Sequence, residues 1–144
     1  MSISCMGMRM GPKKEGDRVD RIVAGFNALK TGLDVVVSGW QQSTLVLELR
    51  GYLETNNTAP FTKMLEALLD DDDIEITVLC LDFNGLLYIS STGIGALTNI
   101  LVRARNKGTA LYLSRVGEKV VSVLSMLGLS SFFSFLDSPD RLLS

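Results

Sequence analysis

The sequence contains no histidine among its 144 residues. Because histidine is the commonest general base and metal ligand, its absence removes the Ser-His-Asp and Cys-His catalytic arrangements and most transition-metal chemistry. No glycine-rich phosphate-binding loop of the right spacing takes its place. We therefore expect a binding protein without a cofactor rather than an enzyme.

Cysteine is scarce, and long apolar runs are missing. Cys5 and Cys80 are too few and too far apart for a disulfide framework or a zinc site, and Cys80 lies in an apolar run typical of a small core residue. No stretch approaches the about 18 consecutive apolar residues of a membrane span, and the first residues lack a secretory pattern. These features predict a cytoplasmic protein without a membrane span.

Charge is nearly balanced, with 14 basic and 16 acidic residues and a net charge of −2. This balance argues against direct nucleic-acid binding over a broad surface. Hydrophobic residues make up 47% and charged residues 21%, as in globular proteins with a sizeable core. The length suits one domain with an extension.

Residues 1–32 form that extension. Glycines and methionines without periodicity over residues 1–16 predict a disordered leader. From Asp17, apolar residues recur at helical spacing and predict a helix that Gly32 could end. Its apolar face must be covered by the domain itself or by a second copy of the chain, which would give a homodimer.

The remainder, residues 33–144, alternates between strand-like and helix-like segments. The predicted strands cover residues 33–37, 44–49, 74–83 and 109–114, with a short one within 129–136. The first two are predicted to form a hairpin with a longer loop over residues 38–43, and Gly51 is expected to break the second. Helices are predicted from Pro60, after a loop that begins at residue 84, and over residues 118–127. The sum is an α/β fold, a small mixed β-sheet with helices packed mainly on one face.

Four consecutive aspartates occupy positions 70–73. A calcium site is one interpretation, but the run lacks the alternating spacing, the glycine and the distal glutamate of a known calcium loop. Four carboxylates also oppose the dipole at a helix C-terminus. We therefore expect a solvated loop after the helix.

A cluster of three hydroxyls, Ser90, Ser91 and Thr92, precedes Gly93 and a predicted helix. The backbone N–H groups of a helix start tolerate an anion, including a phosphate carried by one of these hydroxyls. Alternatively, Ser91 or Thr92 is simply the N-cap, and a cap residue can also be modified.

Three segments together resemble one known family, the STAS domains of anti-sigma factor antagonists. The first is its signature loop, followed by stretches similar to its Gly-Glu-Leu-Asp turn and its closing helix-Gly-Leu-strand segment: residues 81–95, 49–54 and 123–138. The resemblance covers residues 33–144 and leaves out residues 1–32. Ser90 stands where the family has an aspartate.

The resemblance implies a bacterial protein that is switched by phosphorylation. In the family, the unmodified domain binds an anti-sigma factor that is itself a serine/threonine kinase, and so releases the sigma factor. Phosphorylation of one serine abolishes binding, and a serine phosphatase reverses it. By position that serine is Ser91, with Thr92 as the alternative acceptor.

The expected docking surface surrounds these hydroxyls. It comprises Glu54, Tyr88, Ile89, Ser90, Ser91, Thr92, Gly93, Gly95, Asn99 and Arg103. Tyr88 and Ile89 are candidate apolar contacts for the partner, although burial beneath the loop is an equal alternative for both. The same fold also occurs in proteins with other functions. The competing hypothesis is therefore a regulator that binds a nucleotide or lipid, or one that acts beside a transporter.

Overall fold

The computed structural model describes the backbone of residues 5–143 and the side chains of residues 14–143. The helices are α1 (Cys5–Asn27), α2 (Thr58–Asp70), α3 (Ser91–Asn106) and α4 (Glu118–Met126). The strands are β1 (Leu33–Gln41), β2 (Thr44–Leu53), β3 (Val78–Ile89), β4 (Ala110–Ser114) and β5 (Ser134–Leu136). Two short 3-10 helices, Ser130–Phe132 and Pro139–Leu142, flank β5.

The five strands form one sheet in the order β1-β2-β3-β4-β5, with β1 antiparallel to β2 and the other neighbours parallel. Alternate residues of the strands join buried side chains of all four helices in a single core. Its fully buried members include Leu47, Leu81, Phe61 and Leu97. This arrangement confirms the predicted mixed α/β sheet with helices mainly on one face.

The opposite face of the sheet buries a smaller set that includes Val46, Cys80 and Ser114. The C-terminal segment reaches this face, since a Cβ added at Gly39 would lie 2.7 Å from Cδ1 of Leu143. Cys80 is the buried core residue that its apolar surroundings predicted. Burial raises the pKa of the Cys80 thiol, which keeps it protonated and unreactive at neutral pH.

The hairpin between β1 and β2 is tighter than predicted. Its turn consists of Gln42 and Ser43, which have φ values of 50° and 64°, while Gln41 pairs directly with Thr44. Positive φ at both central residues is typical of two-residue turns that match strand twist. The prediction of a longer loop was wrong because neither residue is a glycine or asparagine, the usual signal for such a turn. Gly51 does not end β2 either, since the strand continues to Leu53.

Helix α1 is longer than its periodicity predicts. The backbone is helical from Cys5 rather than from Asp17, and it ends at Asn27 rather than at Gly32. The disordered leader is thus not found over residues 5–16, and residues 1–4 lie outside the described part of the chain. Once tertiary contacts hold the second half of a helix, each further residue adds one hydrogen bond without a new nucleation cost.

The apolar face of α1 packs on its own domain. Val19, Val23 and Phe26 are buried, and the rings of Phe26 and Phe61 meet edge to face with centroids 6.2 Å apart. The side chain of Asn27 accepts from and donates to the backbone of Val35. Since one chain already covers this face, the reason for expecting a homodimer through α1 disappears.

The aspartate run begins in α2 and continues in the loop that follows. Asp70 is the last residue of α2, and the other three follow it, in agreement with the predicted exit loop. Asp71 is not simply solvated, because its Oδ2 accepts hydrogen bonds from Nη2 of Arg18 at 2.6 Å and from Nε at 3.2 Å. This ion pair fastens α1 to the start of the connection to β3.

The Arg18–Asp71 pair predicts a pH-dependent contribution to stability. The hydrogen bond from Arg18 lowers the pKa of Asp71, so the contribution is present above the pKa of an unfolded aspartate, about 4. As pH falls through the lowered pKa, that contribution is lost. We expect Asp71→Asn to unfold at lower urea concentration than wild type at neutral pH, with the difference narrowing in acid. Asp72→Asn, at an exposed neighbour, should follow wild type at every pH.

Candidate functional site

The three hydroxyls lie where β3 passes into α3. Ser90 is the N-cap of α3, and its Oγ accepts a hydrogen bond from the backbone N–H of Gly93 at 3.1 Å. Its own N–H donates to the carbonyl of Leu53 at 2.9 Å, which ties the helix start to the end of β2. The predicted caps, Ser91 and Thr92, lie one and two positions inside the helix. Serine caps a helix as well as aspartate does, so Ser90 fulfils the capping role without a carboxylate.

Each of the three hydroxyls has a different environment. The Ser90 hydroxyl is occupied by the cap, and Thr92 Oγ1 lies 3.1 Å from Thr55 Oγ1 in the β2–α2 loop. Ser91 is exposed, and its hydroxyl makes no hydrogen bond within the part of the chain whose side chains are described. As the first residue of α3, it lies among backbone N–H groups that have no intrahelical partner. Ser91 is therefore the exposed hydroxyl of the cluster that makes no hydrogen bond among the described side chains.

The surface next to Ser91 carries little charge. A groove between α2 and α3 begins beside it and is lined by uncharged residues, namely Thr58, Ala59, Thr62, Thr92, Gly95, Ala96 and Asn99. Glu54 is exposed in the β2–α2 loop, adjacent to Thr55. Arg103, at the other end of α3, forms ion pairs with Glu66 and Asp70 at 3.2 and 2.8 Å. Among the residues whose side chains are described, no cation lines the groove beside the hydroxyls, so a negative charge added there would have no opposite charge beside it.

Some of the predicted docking residues lie on the surface, and others lie beneath it. Glu54, Ser91, Thr92, Gly95 and Asn99 are exposed. Gly93 is buried, because its backbone lies so close to β2 and β3 that an added Cβ would be 2.8 Å from Cγ1 of Ile89 and 3.1 Å from Cγ of Leu53. Gly93 and half-buried Ile89 thus position the helix start from below.

The end of β3 exposes apolar side chains beside the site. The predicted loop from residue 84 is instead an extension of β3, which continues to pair with β2 as far as Ile89. Tyr88 is 53% exposed and pairs in register with Tyr52, which is 46% exposed. Leu87 is 72% exposed. Tyr88 is thus available to a partner, while Ile89 packs partly against the core.

Sequence reasoning missed two residues that shape the β2–α2 loop. Asn57 is fully buried, and its Oδ1 accepts from the N–H of Glu54 at 2.8 Å while its Nδ2 donates to the carbonyl of Tyr52 at 2.8 Å. Thr55 contacts Thr92 across the site. Neither residue belongs to an apolar period or to a charged motif, so no local signal pointed to it. Together they set the loop beside the hydroxyl cluster.

Comparison with known proteins places this geometry in a family. A family model described as the STAS domain matches residues 37–141. No curated protein matches the sequence. Within the described residues, no helix is long and apolar enough to cross a membrane.

Several solved structures share the fold. The anti-sigma factor antagonist SpoIIAA in its unphosphorylated form is 13% identical, with a TM-score of 0.60 over 75% of this chain and 92% of that chain. The anti-sigma factor antagonist from Mycobacterium paratuberculosis is 14% identical, with a TM-score of 0.65 over 77% of this chain and 91% of that chain. A sulfate transporter family protein from Wolinella succinogenes is 21% identical, with a TM-score of 0.60 over 74% and 86%. By the match to the family model and its fold, the chain belongs to the STAS domain family.

Proposed function

We propose that this chain is an anti-sigma factor antagonist whose binding is switched off by phosphorylation of Ser91. The observation that carries the proposal is an exposed serine hydroxyl, without a hydrogen bond to any described residue, at the start of α3 in a STAS domain. The fold is similar to SpoIIAA, a protein solved in both an unphosphorylated and a phosphorylated form. The proposed partner is an anti-sigma factor with serine/threonine kinase activity, and a serine phosphatase would reverse the modification in the cytoplasm. The chain itself would bind rather than catalyse.

The surroundings of Ser91 suit a switch that works by charge. A phosphate adds about −1.5 to −2 charges at neutral pH. In a groove without cations, that charge would have to be desolvated when a partner docks, which weakens binding. The free N–H groups at the start of α3 can accommodate the phosphate locally. Binding would therefore be lost without unfolding of the domain.

The proposed docking surface combines this groove with the exposed end of the sheet. Ser91, Gly95 and Asn99 would form its centre along α3, with Glu54 at one side. Tyr88 and its neighbour Tyr52 would supply apolar contacts, because a half-exposed tyrosine offers a large area at small entropic cost. Gly93 and Ile89 would support this surface from below, and Arg103 would lie at its far margin.

Substitution of Ser91 tests the proposal directly. We expect Ser91→Glu to bind the partner kinase about a hundredfold more weakly than wild type, because it places a charge in the centre of the interface. Ser91→Ala should bind at least as well as wild type and should accept no phosphate there. The partner is captured on the unmodified full-length chain from a lysate of the organism of origin, identified by mass spectrometry, and used for titrations and for phosphosite mapping with ATP.

Gln42→Glu is the matched control for Ser91→Glu. It adds the same charge at an exposed position in the β1–β2 turn, at the opposite end of β2 from the site, and should bind like wild type. A Ser91→Glu chain that binds the kinase as tightly as wild type would refute the switch. Phosphate on Thr92 alone would move the acceptor to the neighbouring hydroxyl and refute the assignment to Ser91.

A second candidate function is regulation beside a transporter, or through a nucleotide or lipid. It is favoured by similarity to the Wolinella succinogenes sulfate transporter family protein at 21% identity. Under this hypothesis, the captured proteins would be membrane transporters, or native mass spectrometry would reveal a copurified nucleotide or lipid. Binding would then be insensitive to the Ser91→Glu substitution, which separates the two candidates.

A further inference from the structure

Helix α4 is poorly covered by the rest of the chain. Of its nine residues, only Leu124 is buried. Val123, Met126 and Leu127, spaced at i, i+3 and i+4 on one face, are 40%, 85% and 57% exposed. A helix this short is marginal in water unless its apolar face packs against something. The exposed face of α4 therefore lacks a partner within the described residues.

Two further exposed apolar side chains follow α4 in the chain. Phe132, in the 3-10 helix that contacts α4, is 51% exposed, and Phe135 on the edge strand β5 is 37% exposed. We call these five side chains the α4 patch: Val123, Met126, Leu127, Phe132 and Phe135. The largest exposed apolar patch of a monomeric protein, typically about 300–600 Å², is often a functional surface. The α4 patch thus has the character of an interaction surface.

The charge pattern around the patch narrows the choice of occupant. Residues 120–136 contain no aspartate, glutamate, lysine or arginine, and Arg105 borders the patch by donating from Nη2 to the carbonyl of Phe132 at 3.3 Å. An anionic membrane or a nucleic acid would be expected to meet a cluster of basic residues, which a single arginine does not supply. A symmetric dimer brings each patch against its own copy, so an uncharged patch avoids the like-charge repulsion that would oppose such a contact.

The size of the patch also suits a second copy of the chain. At about 200 Å² for a large side chain, the five exposed fractions amount to roughly 500 Å² of apolar surface. Two copies would bury about 1,000 Å² before the serines around the patch are counted, which reaches the lower limit for a specific interface. We infer that the chain forms a homodimer through the α4 patch. The α4 patch contains none of the residues proposed to dock the kinase, so the dimer does not rest on the proposed function.

Sedimentation velocity on the full-length chain over a range of concentrations tests the inference. We expect wild type to dimerise and Met126→Glu to shift the dimer dissociation constant at least thirtyfold, because it places two like charges in the apolar contact. Phe132→Ser should weaken the dimer in the same direction. Both positions are exposed, so both variants should fold, which circular dichroism checks.

Leu29→Glu is the matched control, since Leu29 is an apolar residue of similar exposure, 59%, in the turn after α1. It should dimerise like wild type, and so should Ser91→Glu, whatever the fate of the phosphorylation switch. A wild-type chain that stays monomeric would overturn the inference. So would a Met126→Glu dimer of unchanged affinity, or a monomer that uses the patch to bind a different protein.

Discussion

Replacement of Gly51 by alanine is expected to lower the free energy of unfolding by about 3 kcal/mol or more. Gly51 has a φ of +106°, a conformation that residues with a side chain rarely adopt. A Cβ at this position would fall on the carbonyl oxygen of Gly32, whose position is fixed by a hydrogen bond from the N–H of Tyr52 at 3.0 Å. In Gly51→Ala, the strain of the positive φ and the clash with the Gly32 carbonyl therefore both lower the free energy of unfolding.

Gly32→Ala separates these two causes. Gly32 also has a positive φ, +97°, but an added Cβ would find no atom within 4 Å. Gly32→Ala should therefore lower the free energy of unfolding only by the backbone strain, about 1–2 kcal/mol. Urea denaturation of both variants measures the difference. Equal losses for Gly51→Ala and Gly32→Ala would show that the close approach of β2 to the start of β1 does not limit stability.

Replacement of Asp82 by alanine should lower the free energy of unfolding by about 1–3 kcal/mol. Asp82 is 1% exposed on the sheet face that lacks the main helices. Its Oδ1 accepts hydrogen bonds from Ser114 Oγ at 3.1 Å and Arg115 Nε at 3.0 Å, and its Oδ2 accepts from Arg115 Nη2 at 2.5 Å. The hydrogen bonds between Arg115 and Asp82 also raise the pKa of Arg115.

The physical reason for this loss is that Ser114 would remain buried after its acceptor is removed. The connection from β4 to α4 would also lose its link to β3. Asp72→Ala is the control, since Asp72 is exposed and makes no hydrogen bond or ion pair within the described residues. It should change stability by less than about 0.5 kcal/mol. An Asp82→Ala chain as stable as the control would exclude a structural role for the Asp82–Arg115 ion pair.

Local patterns in the sequence predicted most elements but not their ends. The apolar spacing after Pro60 predicted α2, whose face is buried as expected, because periodicity depends only on residues one or two turns apart. The end of β3 was missed because residues 84–88 include an asparagine and a glycine, which locally favour a loop. Pairing with β2 keeps these residues extended. Pairing between strands outweighs local preference here.

For the candidate site, too, the local pattern predicted some features, while others depended on contacts between distant segments. A short motif was enough to place the cluster of three hydroxyls before a helix start, because that is a local feature, and the family resemblance singled out Ser91 within it. The cap itself fell on Ser90 rather than on Ser91 or Thr92, because the hydrogen bond from Ser90 N–H to Leu53 fixes where β3 ends and the helix begins. That contact joins segments far apart in the chain.

By itself, the sequence determined the class of fold, the order of its helices and strands, the buried environment of Cys80 and the place of the hydroxyl cluster. Tertiary structure decided which hydroxyl is free, through the contact between Thr55 and Thr92, and that α1 packs on its own domain, through Arg18 and Asp71. The physical reason is the distance along the chain over which each interaction acts. Periodicity and capping act over a few residues, whereas these pairs lie 37 and 53 residues apart and meet only when the chain has folded.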